Sequence, residues 1–340
     1  MFDTSPILNG NRRALARVLT QIENGMPEAE AALGALFAHT GRAHLIGVTG
    51  PPGSGKSSLV NELAKAMRRA GRTVAVVAVD PSSPFTGGAI LGDRIRMRDL
   101  AGDPGVFIRS MANRGSLGGL ARSTADVVIA LDAAGFDKIL IETVGAGQAE
   151  VDIARTAHTV LVVEAPGLGD DVQAIKAGLL EVADVLVVNK SDQPGAEAAV
   201  RVLRASLDLA HPVARQWAAG ALRPPPLTPP PSKAGEGSGV WIPPLLQTVA
   251  VQGRGVAELM DSIEKHHTYL HTSGELDNRE RERLEHELEQ HLREFLLASL
   301  LTRLGSGPYN AALEQIFARQ LDPARAARQL VEQMQHPAHA

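Results

Sequence analysis

The octapeptide Gly50-Pro51-Pro52-Gly53-Ser54-Gly55-Lys56-Ser57 follows an apolar run, His44–Thr49, and leads into an apolar-striped segment of helical period, Ser57–Ala70. It reads G-x-x-x-x-G-K-S, and that pattern binds phosphate when a strand enters it and a helix leaves it. Glycines at positions 50, 53 and 55 let the backbone wrap an anion with its N–H groups turned inward, and the helix N-terminus adds a favourable potential. Lys56 supplies a point charge for β and γ phosphates, and the Ser57 hydroxyl is a ligand for Mg²⁺. Ser58, next along the helix, completes the phosphate-binding stretch. A chain built around such a loop is an α/β protein with a parallel sheet, and the flanking sequence agrees.

From Ala43 to about Ala250, short β-rich runs alternate with helix-period segments. The runs are His44–Thr49, Thr73–Val79, Val106–Arg109, Lys138–Glu142, Thr159–Glu164, Val185–Val188 and Leu246–Ala250. The alternation predicts a P-loop NTPase fold, a doubly wound and mainly parallel sheet with helices on both faces. The sequence divides into an N-terminal helical extension (1–40), a nucleotide-binding domain (41–271) and a C-terminal helical arm (272–340). Within the middle domain, Arg223–Gly239 reads RPPPLTPPPSKAGEGSG, which suits neither a ladder nor a core and is expected to be a mobile surface insertion. In Arg279–Leu304, Leu284, Leu288, Leu292, Phe295, Leu296 and Leu300 line one helix face. That stripe must be buried, either on its own domain or against a second copy of the chain.

Composition removes several functions. The 34 Lys and Arg against 38 Asp and Glu give a formal charge of −4, not the basic excess of a nucleic-acid or anionic-membrane binder. There is no cysteine, so thiolate catalysis, disulfides and Cys-ligated metals are out. No apolar run reaches the roughly 18 residues of a bilayer span, and the amino end lacks a signal-peptide pattern. The expectation is a cytoplasmic protein with no nucleic-acid or membrane partner. The eleven histidines show no zinc-site spacing, and His266-His267 reads as helix surface.

Asn189-Lys190-Ser191-Asp192 follows the run Val185–Val188, at the ligand side of an open α/β sheet. In this N-K-x-D motif the Asp192 carboxylate can accept two hydrogen bonds from guanine, N1–H and the 2-amino group, which adenine cannot offer. Two charge-assisted bonds of roughly 1.5–3 kcal/mol each favour guanine by about a hundredfold or more. The ligand is therefore GTP or GDP. Asn189 is expected at the other side of the base edge, the Lys190 stem across the ring, and Val249-Ala250-Val251 is expected to bring a backbone N–H to the guanine carbonyl. Mg²⁺ needs more oxygen donors than Ser57 and two phosphates. Asp80 and Glu142 each close a strand at the P-loop edge, and Asp93 lies in the loop Pro81–Arg98. Gln148, in the Gly-rich loop after Glu142, is a candidate to orient the attacking water.

Four longer strings carry a resemblance. AVDPSSPFTGGAILGDRIRM at Ala78–Met97, RSMANRGSLGGL at Arg109–Leu120, IETVGAGQAE at Ile141–Glu150 and GLGDDVQAIKAG at Gly167–Gly178 resemble the MeaB/ArgK family of P-loop GTPases. The resemblance implies a homodimer formed through helical extensions, and a chaperone of an adenosylcobalamin-dependent acyl-CoA mutase, typically methylmalonyl-CoA mutase. GTP binding and hydrolysis would gate cofactor delivery and protect or reactivate that mutase. It also implies Mg²⁺ ligation by Ser57, Asp80, Asp93 and Glu142, and a partner-coupled switch at Gly167–Gly178 in which Lys176 contributes to hydrolysis. The Pro-rich insertion departs from the family pattern, as does Val249, where the family has a small hydroxyl residue. The alternative reading is a nucleotide-dependent kinase or phosphotransferase of a transport system.

Overall fold

The seven β-rich runs form one sheet in the computed structural model, which describes residues 2–81, 97–100, 102–113, 119–143, 155–167, 182–210 and 240–335. Its strands are β1 (His44–Thr49), β2 (Val74–Pro81), β3 (Val106–Asn113), β4 (Lys138–Thr143), β5 (Thr159–Glu164), β6 (Val185–Val188) and β7 (Leu245–Gln247). They lie in the order β3-β2-β4-β1-β5-β6-β7, and every pairing is parallel. Along β1, β4, β5 and β6 every residue is buried, which is why these runs are continuously apolar rather than alternating.

Successive side chains leave opposite faces of the sheet, so the same strands feed separate cores. Leu45, Ala75, Val77, Ile139 and Ile141 pack under α2 (Arg12–Glu23), α3 (Pro27–Phe37) and α5 (Gly119–Ala133). Ile46, Val48, Val76, Leu140 and Val163 pack under α4 (Lys56–Arg69) and α7 (Val256–Ser273). On the first of these faces, α6 (Ala196–Ala210) covers Val160, Val162, Leu186 and Val188 through Leu203 and Leu207. The amino-terminal helices are thus part of the sheet's own core. Ile7 of α1 (Ser5–Leu8) joins it, and Asn11 caps α2 by accepting from the Arg13 and Ala14 amides at 3.0 and 3.1 Å.

Several strand boundaries differ from the sequence expectation. Strands β2 and β3 run further, to Pro81 and Asn113. The last strand stops at Gln247 rather than Ala250, and Ala250–Gln252 is a 3₁₀ turn. Gly255 explains the short strand. Its φ is +77°, and a Cβ there would lie 2.2 Å from the Gln247 carbonyl oxygen, so the chain doubles back too closely to extend the ladder.

Histidines gather at the amino edge of the sheet. His44, at the start of β1, is buried, with Nε2 2.7 Å from Thr159 Oγ1 and Nδ1 3.2 Å from Lys138 Nζ. His266, expected on a helix surface, is instead fully buried, its Nδ1 2.9 Å from the same Thr159 hydroxyl. The start of α8 (Glu275–Leu304) is fastened to this edge. The Arg279 guanidinium donates to both oxygens of buried Asp184, at 2.8 and 2.9 Å, and to the His158 carbonyl at 2.7 Å.

The compact unit just described ends at Arg283, and a second comprises Leu284–Ala340. The second holds the remainder of α8, then α9 (Ser306–Phe317) and α10 (Pro323–Gln335). The apolar stripe read from the sequence is present on α8, and Leu288, Phe295 and Leu296 are 60%, 60% and 66% exposed. The Pro-rich segment Arg223–Gly239 lies outside the described residues.

Candidate nucleotide site

The P-loop stands at the carboxyl end of β1, where the sheet order turns away on both sides toward β4 and β5, the usual crevice for a ligand in an open α/β sheet. The loop's shape depends on glycine. Gly50 has φ +136° and lies so close to β5 that a Cβ would meet the Val163 carbonyl oxygen at 2.1 Å. Gly55, with φ +89°, precedes α4 directly, and its Cβ would fall 2.4 Å from Asn189 Nδ2. Helix α4 therefore begins at Lys56 with no side-chain cap, leaving first-turn N–H groups for an anion.

Lys56 and Ser57 are both buried. The Lys56 ammonium donates to the Gly50 and Pro51 carbonyls at 2.7 and 3.0 Å, which holds the charge inside the loop's curve. Ser57 Oγ donates to Glu142 Oε1 at 2.6 Å. Glu142 reaches this position because β4 runs beside β1 with Val48 paired to Glu142. A serine hydroxyl and a carboxylate, two hard oxygen donors in contact beside the phosphate loop, have the chemistry Mg²⁺ requires. Asp80 lies one residue before the carboxyl end of its strand, with its backbone paired to Ala112. The Asp80 side chain, Asp93, Gln148 and Lys176 lie outside the described residues.

The N-K-x-D segment enters from β6. Lys190 takes a left-handed backbone conformation, φ +55°, and its ammonium donates to the Gly53 carbonyl at 2.8 Å. The methylene stem thus spans from the N-K-x-D segment to the phosphate loop. Asn189 reaches the phosphate loop through its side chain. Its Nδ2 donates to the Ser54 and Gly55 carbonyls at 2.9 and 3.5 Å, and its Oδ1 accepts from Thr248 Oγ1 and the Ala250 amide, both at 3.1 Å. These hydrogen bonds tie the phosphate loop to the 248–250 segment. Asp192 is exposed, with its carboxylate open to a ligand.

At the end of β7, Val249 is buried and its amide donates to the Arg254 carbonyl at 3.0 Å, while Val251 is 80% exposed. The hydroxyl at this corner is that of Thr248, fully buried, one residue before Val249. Sequence reasoning missed it. The available signal was a threonine directly before the Val-Ala-Val triplet, at the end of an apolar run.

Comparison with known proteins agrees with this geometry. Residues 15–304 match the family described as methylmalonyl Co-A mutase-associated GTPase MeaB. A relative from Pyrococcus horikoshii is 45% identical across 96% of this chain and 95% of its own. GTPase ArgK of Escherichia coli is 34% identical across 96% of this chain and 94% of its own. A crystal structure titled as an LAO/AO transport system kinase superimposes with a TM-score of 0.65 at 27% identity, covering 97% of this chain and 96% of that one. With a glycine-shaped phosphate loop, a buried lysine and an N-K-x-D segment in place over a parallel sheet, the chain belongs to the MeaB family of P-loop GTPases.

Proposed function

We propose that this GTPase is a nucleotide-dependent chaperone of an adenosylcobalamin-dependent acyl-CoA mutase, of the methylmalonyl-CoA type, gating loading of the cofactor and protecting or reactivating the enzyme. The observation that carries the reading is the pair of protein ties between base and phosphate segments, Asn189 to Ser54 and Lys190 to Gly53. They make the two ends of a bound nucleotide one mechanical unit, which is what a switch needs if its state is to be sensed by a partner. The family description names a mutase as the associated protein.

Within the cycle, Lys56 and the first-turn amides of α4 hold the phosphates and offset charge developing on them. Ser57, Glu142, Asp80 and Asp93 form the proposed Mg²⁺ set, and the ion, when bound, neutralises charge on the β and γ oxygens. Asp192 selects guanine. Gln148 and Lys176 are assigned to water positioning and to stimulation by the partner. Hydrolysis in the isolated protein is then slow, and an element supplied by the partner can raise it by about 10³–10⁵. The exposed stripe on α8 and the exposed Phe317 of α9 support the proposed homodimer, since a single chain leaves them in water.

Pull-down from the source cell extract with GTP, GDP or no nucleotide tests the partner. Recovery of a cobalamin-dependent mutase that changes with nucleotide supports the reading, and recovery of a transport protein alone overturns it. For nucleotide choice, Asp192→Asn is expected to weaken GTP binding by about a hundredfold, from the two charge-assisted bonds lost, with no matching loss for xanthosine triphosphate. Titration with fluorescent analogues reads this directly, and an unchanged GTP affinity contradicts the assignment of Asp192.

A further inference from the structure

We propose that His267 and His271 form a second metal site, a two-imidazole chelate for a divalent transition ion of the zinc class. The residues stand one turn apart on α7, and their Nε2 atoms point at each other 3.2 Å apart. Zinc–nitrogen bonds of about 2.0–2.1 Å at a tetrahedral angle set two ligand nitrogens about 3.3 Å apart, a separation the pair already has, so binding needs the two rings to turn their lone pairs toward a shared point and shed the proton between them.

The pair is held in place by its surroundings. The His267 ring stacks on His44 with centroids 3.9 Å apart and planes 11° from parallel. His44 is itself pinned between Thr159 Oγ1 and Lys138 Nζ. The His271 ring then meets His267 edge-on at 75°. A chelate carried on one helix, with one ring locked by stacking, loses little freedom when a metal binds. Lys138, which contacts His44, is paired with Glu264 at 2.6 Å, while Arg42 and Arg283 also line the cavity beside the pair.

His271 is exposed, and both rings border a cavity of about 110 Å³ also lined by His158, Asp132 and Glu280. A metal can reach the pair from solvent and complete its coordination with water. Among the described residues no three His, Asp or Glu side chains converge into a closed cage, so the site is open and exchangeable rather than structural. Imidazole nitrogen suits Zn²⁺, Co²⁺, Ni²⁺ and Cu²⁺ rather than Mg²⁺, which separates this site chemically from the phosphate site. It is also remote from it. The histidines sit by His44, where β1 begins, and the P-loop follows its other end, six residues and about 20 Å away.

The test uses full-length, tag-free protein freed of metal and held at pH 7.5 with millimolar Mg²⁺ to occupy hard-oxygen sites. Calorimetry with ZnCl₂ and the visible spectrum with CoCl₂ are compared between wild type and His271→Ala, whose fold is checked by circular dichroism. The wild type is expected to bind one equivalent that His271→Ala binds at least about tenfold more weakly, with GTP affinity equal in both. Identical isotherms for the two proteins, or no binding by the wild type, overturn the proposal and leave the 3.2 Å contact as a hydrogen bond between opposite tautomers.

Discussion

Gly50→Ala is expected to abolish measurable GTP binding and to destabilise the sheet domain, while Gly53→Ala in the same loop does neither to a comparable degree. Both glycines have positive φ, +136° at Gly50 and +81° at Gly53, so each substitution carries backbone strain of roughly 1–3 kcal/mol. Only at Gly50 does the new methyl have nowhere to go. It would lie 2.1, 3.0 and 3.1 Å from the Val163 carbonyl oxygen, carbonyl carbon and amide nitrogen, all backbone of a central strand that cannot step aside. At Gly53 nothing lies within 4 Å. Overpacking adds about 1–3 kcal/mol at Gly50 if the loop stays. If the loop moves off β5 instead, the N–H groups and Lys56, whose ammonium rests on the Gly50 carbonyl, lose their aim. Either response costs at least about a hundredfold in affinity, by analogy with the factor lost when bound geometry shifts by an ångström. Titration of both variants with a fluorescent GTP analogue, beside their thermal unfolding curves, separates strain from collision. Equal behaviour of the two would mean that the close approach to Val163 does not shape the site.

What could be read from the sequence follows physical lines. Of the four strands whose entire length is buried, β1, β5 and β6 have the boundaries their apolar runs predict and β4 runs one residue further, because an apolar run has few ways to hide except in a parallel sheet. The phosphate loop is legible because its glycines answer to local backbone geometry. Asn189 is not, since its partners are backbone groups of Ser54, Gly55 and Ala250, as far as 135 residues away, and backbone groups leave no signature in a sequence. Thr248 went unnoticed because its hydroxyl donates to the Asn189 side chain across 59 residues, a pairing that only the fold brings about. The histidine group is hidden by topology. His44, His158 and His266 have no common spacing, and only the parallel sheet, which brings the starts of β1 and β5 together under α7, makes them neighbours.

At that same edge, Asp184→Ala is expected to remove about 3–5 kcal/mol of stability, the usual cost of stripping one partner from a buried ion pair. The Asp184 carboxylate, 5% exposed as a residue, accepts from Arg279 through both oxygens and from the Val160 amide at 2.8 Å, and lies 3.2 Å from His266 Nε2. Burial alone would raise its pKa, but His266 and Arg279 outweigh that and hold the carboxyl below the ordinary carboxylate range. Alanine leaves a guanidinium, a backbone N–H and an imidazole facing a gap. For a domain of this size the loss shifts the unfolding midpoint by about 10 °C. Asp184→Asn, which keeps the shape and one acceptor, should fall between the two. Glu280, one residue beyond Arg279, reports on the same clamp through acid titration. Burial raises its pKa, yet His158 and Arg283 pull it down to about 2 from the ordinary 4.5. A depressed carboxyl stabilises the fold above its unfolded pKa, so this contribution is complete above pH 4.5 and drains away as pH falls toward 2. Wild type should therefore lose midpoint across that window, and Glu280→Gln should flatten the loss while leaving the Arg279–Asp184 contact in place. If Asp184→Ala unfolds with the wild-type midpoint, the clamp that joins the start of α8 to the sheet does not stabilise the fold.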